Sequence, residues 1–270
     1  MLVSQELIIF AHIPKTAGST IGNIARKNYS NLAHFYTGKN PKQTSLKDWI
    51  NTFNSDVIGT VKTPTLLSGH VGYRIHRSLH YKTCTYITML REPVDRVISH
   101  YHYARHKGVG SATASMSFQD YLLSRRFINV DNFQTRFLSG LGWKRSPDCI
   151  ELYGKEFDLK YGQCSAEMLE IAKYNLEHFF VFGLKEKLPE SLALFKDVLG
   201  WSHGELKARS NLGKNRPKKE EIDSELKEFI SEQNSLDIEL YQYAQSLFEK
   251  QNSSIESKTR LIQKNLSKSA

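Results

Sequence analysis

The feature that most restricts this chain is its opening unit. An unbroken apolar run, Leu7-Ile8-Ile9-Phe10-Ala11, is followed by Pro14 and Gly18 and then by helical spacing from Ile21 to Arg26. So short and continuous a run suits a strand buried on both faces, which requires a parallel sheet covered by helices. The rest of the chain repeats the alternation. Leu66–Val71, the β-branched and aromatic Thr85–Leu90, and Phe179–Leu184 read as further strands. Helices are expected near Ser45–Phe53, over Pro93–Ala104 with Pro93 in the first turn and a break at Gly108–Gly110, over Ser117–Arg126 and over Asn129–Leu138 with Gly140 as a stop. Others are expected over Ser165–Glu177, Pro189–Leu199 and, in two pieces, Ile222–Lys250. The expected architecture is α/β, three layers around a central, mainly parallel sheet, forming one domain over residues 1–251. Residues 252–270 are polar and Lys/Ser-rich, and read as a frayed or disordered tail.

Charge narrows the ligands. Thirty-seven Lys and Arg against 28 Asp and Glu give a formal charge of +9, which favours an anionic ligand: a nucleotide, an acidic glycan, a nucleic acid or an anionic lipid. No segment approaches the roughly 20 apolar residues of a membrane span, and Leu7–Ala11 has neither a basic leader nor a cleavage site. A soluble, cytoplasmic protein of bacterial type is the expectation. Cys84, Cys149 and Cys164 are few and widely spaced, and read as free thiols. His100, His102 and His106 have no Cys or acidic partner at ligand spacing, so no metal is expected.

The loop between the first strand and helix carries the chemistry. Pro14-Lys15-Thr16-Ala17-Gly18-Ser19-Thr20 supplies small residues, hydroxyls and a lysine where backbone N–H groups converge, which makes a phosphate cradle or, more plainly, a tight turn with a capping hydroxyl. An NTPase loop would place its lysine after the glycine, whereas Lys15 precedes Gly18. The strand ending at Leu90 is followed by Arg91, not by an acidic magnesium ligand. Arg91 and Ser99 are eight residues apart, one at a strand end and the other about two turns into a helix, a spacing that lets both meet one phosphate. Pairing of Arg91 with Asp95 and a buried helical Ser99 is the plainer alternative.

These segments resemble the sulfotransferases that use 3′-phosphoadenosine 5′-phosphosulfate, especially the Golgi carbohydrate type containing heparan sulfate 2-O-sulfotransferase. Pro14–Thr20 is similar to their 5′-phosphosulfate loop and Arg91–Tyr101 to their 3′-phosphate segment. The resemblance implies a P-loop-like fold and transfer of a sulfuryl group to an acceptor hydroxyl, on a carbohydrate that is itself acidic, without a metal. Gly69-His70-Val71 resembles the segment with the catalytic histidine, so His70 is the expected general base beside Lys15. Asp131–Gly140 is similar to a D-N-x-x-T-R-x-L-x-G segment, which implies that Asn132 and Arg136, with His12, contact substrate; a capping Asn and a solvated Arg are the alternatives. The Asn211–Lys218 loop resembles the basic segment over the 3′-phosphate, which implies donor contacts from Lys214 and Arg216; a charged linker is the alternative. Two positions depart from the heparan enzymes: Ser68 stands where they carry a second histidine, and His12 where they carry an arginine. Outside the resemblance, an ATP- and magnesium-dependent phosphotransferase and a non-catalytic nucleic-acid binder remain as rival readings, and no nucleic-acid module is recognisable.

Overall fold

The computed structural model describes residues 3–29, 31–35, 45–59, 65–107, 115–143, 147–203 and 222–266. In chain order these form β1 (Val3–Ala11), α1 (Gly18–Asn28), β2 (Leu32–Phe35), α2 (Leu46–Gly59), β3 (Leu66–Gly69) and β4 (Tyr81–Leu90). They continue as α3 (Pro93–Lys107), α4 (Phe118–Leu123), α5 (Phe133–Ser139), α6 (Pro147–Tyr153), α7 (Ala166–Phe179), β5 (Phe180–Leu184), α8 (Leu188–Leu199), α9 (Ser224–Gln233) and α10 (Ser235–Leu266). The expected break at Gly108–Gly110 and the loop carrying Lys214 and Arg216 lie outside the described residues.

The sheet has five strands in the order β2-β3-β1-β4-β5, every pairing parallel. The expected α/β, three-layer, parallel-sheet class therefore holds. Alternate residues of the strands feed two cores. On one face Ile8, Phe10, Ile87 and Met89 pack on Ile21 and Ile24 of α1 and on Leu192 and Phe195 of α8. On the other, Leu7, Ile9, Tyr86 and Phe182 pack on Ile50 of α2, Phe137 of α5, Leu176 of α7 and Ala244 of α10. A third cluster, Val94, Val97 and Ile98 of α3 with Tyr121 of α4 and Ile230 of α9, gathers beside the sheet.

Helix ends follow local chemistry. Ser117 and Ser165 accept from the N–H of Asp120 and Met168 and so cap α4 and α7. Gly140 ends α5 at φ 75, a conformation that favours glycine. The helix expected over Asn129–Leu138 is instead a 3-10 turn, Ile128–Val130, and then α5, because Asn132 between them takes φ 46. The last helix, expected to end near Lys250, continues to Leu266. No disulfide joins the three cysteines.

The topology dictates where a site can form. From β1 the chain crosses to β2 and returns through β3, then crosses to β4 and β5 on the other side of β1. The strand order reverses at β1 and β4, and ligands of open parallel sheets bind beyond the carboxyl ends of such strands.

Candidate active site

Register brings the expected residues together. Ala11 pairs with Gly69 at the ends of β1 and β3, so the next residues, His12 and His70, emerge side by side. Their rings stack with centroids 4.5 Å apart, and Phe10 stacks on His12 at 5.4 Å. The His12 N–H donates to the Gly69 carbonyl at 2.9 Å. Nδ1 of His70 lies 2.8 Å from the His12 carbonyl oxygen, which can only accept, so Nδ1 carries a proton and, when the ring is neutral, its lone pair is on Nε2.

The loop after β1 is bent by its backbone. Lys15 and Ala17 both take positive φ, 74 and 71, turning the chain sharply into α1. Alternation of this kind aims successive N–H groups into one concavity. Helix α1 begins without a side-chain cap and without an acidic residue in its first turn, an end suited to an anion. Gly18 is required for contact rather than for φ: a Cβ there would lie 1.9 Å from the His12 ring. Thr16 is fully buried and donates its hydroxyl to the Ile13 carbonyl at 2.8 Å, so that hydroxyl braces the loop itself. Ser19 is exposed, and Pro14 and Thr20 are partly so.

Arg91 follows β4 directly and closes the cluster. Its Nη1 donates to the Lys15 carbonyl at 3.1 Å, joining the two donor segments expected from sequence. Asp95 stands 3.7 Å from Nη2 and Glu186 4.0 Å from Nε, so the ion pair with Asp95 exists alongside the contact with the loop. Burial pushes the guanidinium below its ordinary range, opposed by Asp95 and Glu186. Its Nε is buried without a hydrogen-bond partner. Ser99 is buried on α3, which starts where Glu92 accepts from the N–H groups of Val94 and Asp95 at 3.3 and 2.8 Å. The Lys15 ammonium lies over the Tyr103 ring of the same helix, 4.2 Å from its centroid. His100, whose Nδ1 meets the Tyr121 hydroxyl at 2.9 Å, is pushed down to about 3 by burial and by Arg96, Lys15 and His70.

Asn132 and Arg136, expected at the substrate, are both bonded into the scaffold. Arg136 is fully buried: it donates to Asp131 through Nη2 at 2.5 Å and to the carbonyls of Asp131, Lys160 and Gly142. The Asn132 carbonyl oxygen of the side chain accepts from the N–H groups of Leu236 and Asp237, both at 3.0 Å, and so caps α10. Asp237 returns the favour to α5, accepting from the N–H groups of Gln134 and Thr135 at 3.0 and 2.7 Å and from the Thr135 hydroxyl at 2.9 Å. Sequence reading missed Asp237, Tyr103 and Glu186, none of which belongs to a local motif. Among the described residues, no group of three His, Cys, Asp or Glu side chains is placed to hold a metal, and no helix is long and apolar enough to cross a membrane.

Comparison with known proteins bears on the family. Heparan sulfate 2-O-sulfotransferase hst-2 of Caenorhabditis elegans is 24% identical over 227 residues, covering 73% of this chain and 64% of that protein. Heparan sulfate 2-O-sulfotransferase 1 of Gallus gallus is 27% identical over 203 residues, covering 72% of this chain and 54% of its own. The chain thus spans less than two thirds of the length of either relative. The crystal structure of a sulfotransferase from Alicyclobacillus acidocaldarius aligns over 88% of this chain and 94% of its own, at 12% identity and a TM-score of 0.48. The profile of the Sulfotransferase family matches residues 2–244, taking in β1 through the first part of α10 with every strand-end residue described above, and the chain belongs to that family.

Proposed function

We propose that the chain moves a sulfuryl group from 3′-phosphoadenosine 5′-phosphosulfate to a hydroxyl, and that the acceptor is a carbohydrate. The observation that carries this reading is the joining of two phosphate-type segments by one bond, from Arg91 Nη1 to the Lys15 carbonyl, with His70 on the adjacent strand end. A nucleotide with phosphate at both 3′ and 5′ positions needs two such anion sites, and ATP does not.

The residues present fit that donor. The first turn of α1, with its uncapped N–H groups and no carboxylate, would hold the 5′ end together with Lys15, Ser19 and Thr20. Arg91 and Ser99 would hold the 3′-phosphate, the guanidinium giving it a buried, charged donor group. When bound, the donor supplies an electrophilic sulfuryl group and a leaving bisphosphate. Lys15 stabilises the negative charge that develops on the leaving phosphate oxygen. His70 accepts the acceptor hydroxyl proton on Nε2, held in that tautomer by the His12 carbonyl. His12, stacked on His70, lines the acceptor side. A carbohydrate is supported by the heparan sulfate 2-O-sulfotransferase relatives and by the formal charge of +9, which suits an acidic saccharide.

Melting temperature with adenosine 3′,5′-bisphosphate, with AMP, and with ATP plus magnesium tests the donor, because a ligand that binds only the native state raises apparent stability. Selective stabilisation by the bisphosphate is expected; a response to ATP and magnesium alone would overturn the reading. Labelled donor offered with acidic oligosaccharides, neutral sugars and phenols tests the acceptor. Exclusive transfer to a phenol would reject the carbohydrate.

A further inference from the structure

Arg91 lies one residue beyond β4, whose last paired residue is Leu90, opposite Leu184. Beyond that point no strand continues the ladder for it. The side chain of Gln134 takes the strand's place: its Oε1 accepts from the Arg91 N–H at 3.0 Å and its Nε2 donates to the Arg91 carbonyl at 2.9 Å. A single amide thus satisfies both backbone groups of one residue, as a neighbouring strand would. Gln134 is only 1% exposed, and its own N–H is held at 3.0 Å by Asp237 of α10. The amide is therefore fixed at both ends, and the direction in which Arg91 leaves the sheet is fixed with it.

We infer that Gln134 is a positioning residue for nucleotide recognition, which sets the aim of the Arg91 guanidinium and so the preference for a 3′-phosphate. The inference rests on the reading that Arg91 holds that phosphate. The alternative duty, simple filling of the core, is met by any side chain of similar volume. Positioning needs both bonds, since either one alone leaves the peptide free to rotate about it. The 5′ site, built on the loop after β1, does not depend on Gln134.

The test separates these duties with two nucleotides that differ only in the 3′-phosphate. Affinities for adenosine 3′,5′-bisphosphate and for AMP are measured by calorimetry on the full chain for wild type, Arg91→Ala, Gln134→Met and Gln134→Glu. Methionine keeps the volume and removes both bonds; glutamate keeps the acceptor for the Arg91 N–H and loses the donor to its carbonyl. Arg91→Ala is expected to abolish the preference for the bisphosphate. Gln134→Met should lower that preference about tenfold, with AMP affinity changed less than about twofold, and Gln134→Glu should fall between. If Gln134→Met does not fold, the loss in Gln134→Glu carries the test. A wild-type preference in the Gln134 variants, or equal weakening of both nucleotides, would overturn the positioning role while Arg91→Ala still reports on Arg91. A preference that survives Arg91→Ala would overturn the Arg91 reading and this inference together.

Discussion

The N-terminus of α1 and the N-termini of α5 and α10 present the same backbone groups and treat them in opposite ways. A helix start leaves its first N–H groups without intrahelical partners. At α5 and α10 those groups are consumed within the fold: Asp237 caps one helix and Asn132 the other, each reaching across from its opposite number. Around them Asn234 accepts from the Asn132 N–H at 3.1 Å and donates to the Val130 carbonyl at 3.0 Å. At α1 there is no side-chain cap, no acid in the first turn, and two positive-φ residues ahead of the helix. The difference separates a region built to hold the fold from one whose polarity, on the proposed reading, is directed at a ligand. Buried polar groups are costly unless paired, so the first region must satisfy itself, whereas the second leaves its groups to the proposed ligand.

Substitutions in the two regions should therefore part stability from activity. The largest effect is expected of Lys15→Ala, which should lower turnover by about 10²- to 10³-fold with little change in melting temperature. Full turnover by a folded Lys15→Ala protein would end the comparison. Gly18→Ala should follow, with a loss near 10²-fold, because the added Cβ displaces the His12 ring and with it the partner of His70. Asp237→Ala is its counterpart on the other side. It strands two N–H groups, a hydroxyl and the charge of fully buried Arg96, and should cost about 3 kcal/mol in denaturant unfolding. A variant as stable as wild type would show that the junction is not the anchor described here.

Asn132 allows a finer cut. Asn132→Ala removes the cap of α10 and puts alanine at φ 46, whereas Asn132→Gly removes the cap but suits that backbone. The first should lose about 2 kcal/mol and the second about 1 kcal/mol, so that their difference measures the strain alone. The smallest effect concerns pH. His100 is neutral in the native chain down to about 3, against an ordinary value of 6.5. The unfolded chain binds a proton in that window that the native chain does not, so stability falls as pH drops from 6.5 toward about 3. His100→Gln should flatten the fall in melting temperature between neutral and mildly acidic buffer. An unchanged slope would assign the acid sensitivity elsewhere.

The legible parts of this molecule are those whose signals are local. Leu7–Ala11 and Thr85–Leu90 are strands because their apolar content is continuous, and Pro93, Ser117, Ser165 and Gly140 mark helix ends by their own chemistry. Lys15, His70 and Arg91 were legible because each follows a strand, and parallel register then brings strand ends together. β2 was not, since Leu-Ala-His-Phe at a sheet edge has neither length nor an unbroken apolar run. The break at Asn132 and the burial of Arg136 escaped for another reason. Asn132 bonds Asn234 and Asp237, far along the chain, which no local pattern encodes; Arg136 pairs with Asp131 of its own motif, but its burial is completed by the Lys160 carbonyl of a separate loop. Tertiary bonds decide where both side chains point.

The junction also has a consequence in time. Among the described residues every strand is complete by Leu184, so a chain emerging from its N-terminus carries these strands, the loop after β1 and Arg91 before Asp237 exists to grip α5. The order of synthesis therefore runs strands first and the grip on α5 last. Docking of the final helix, which also carries Ala244 into the main core, is the step that completes the packing and, on the proposed reading, the aim of Arg91 at the same moment.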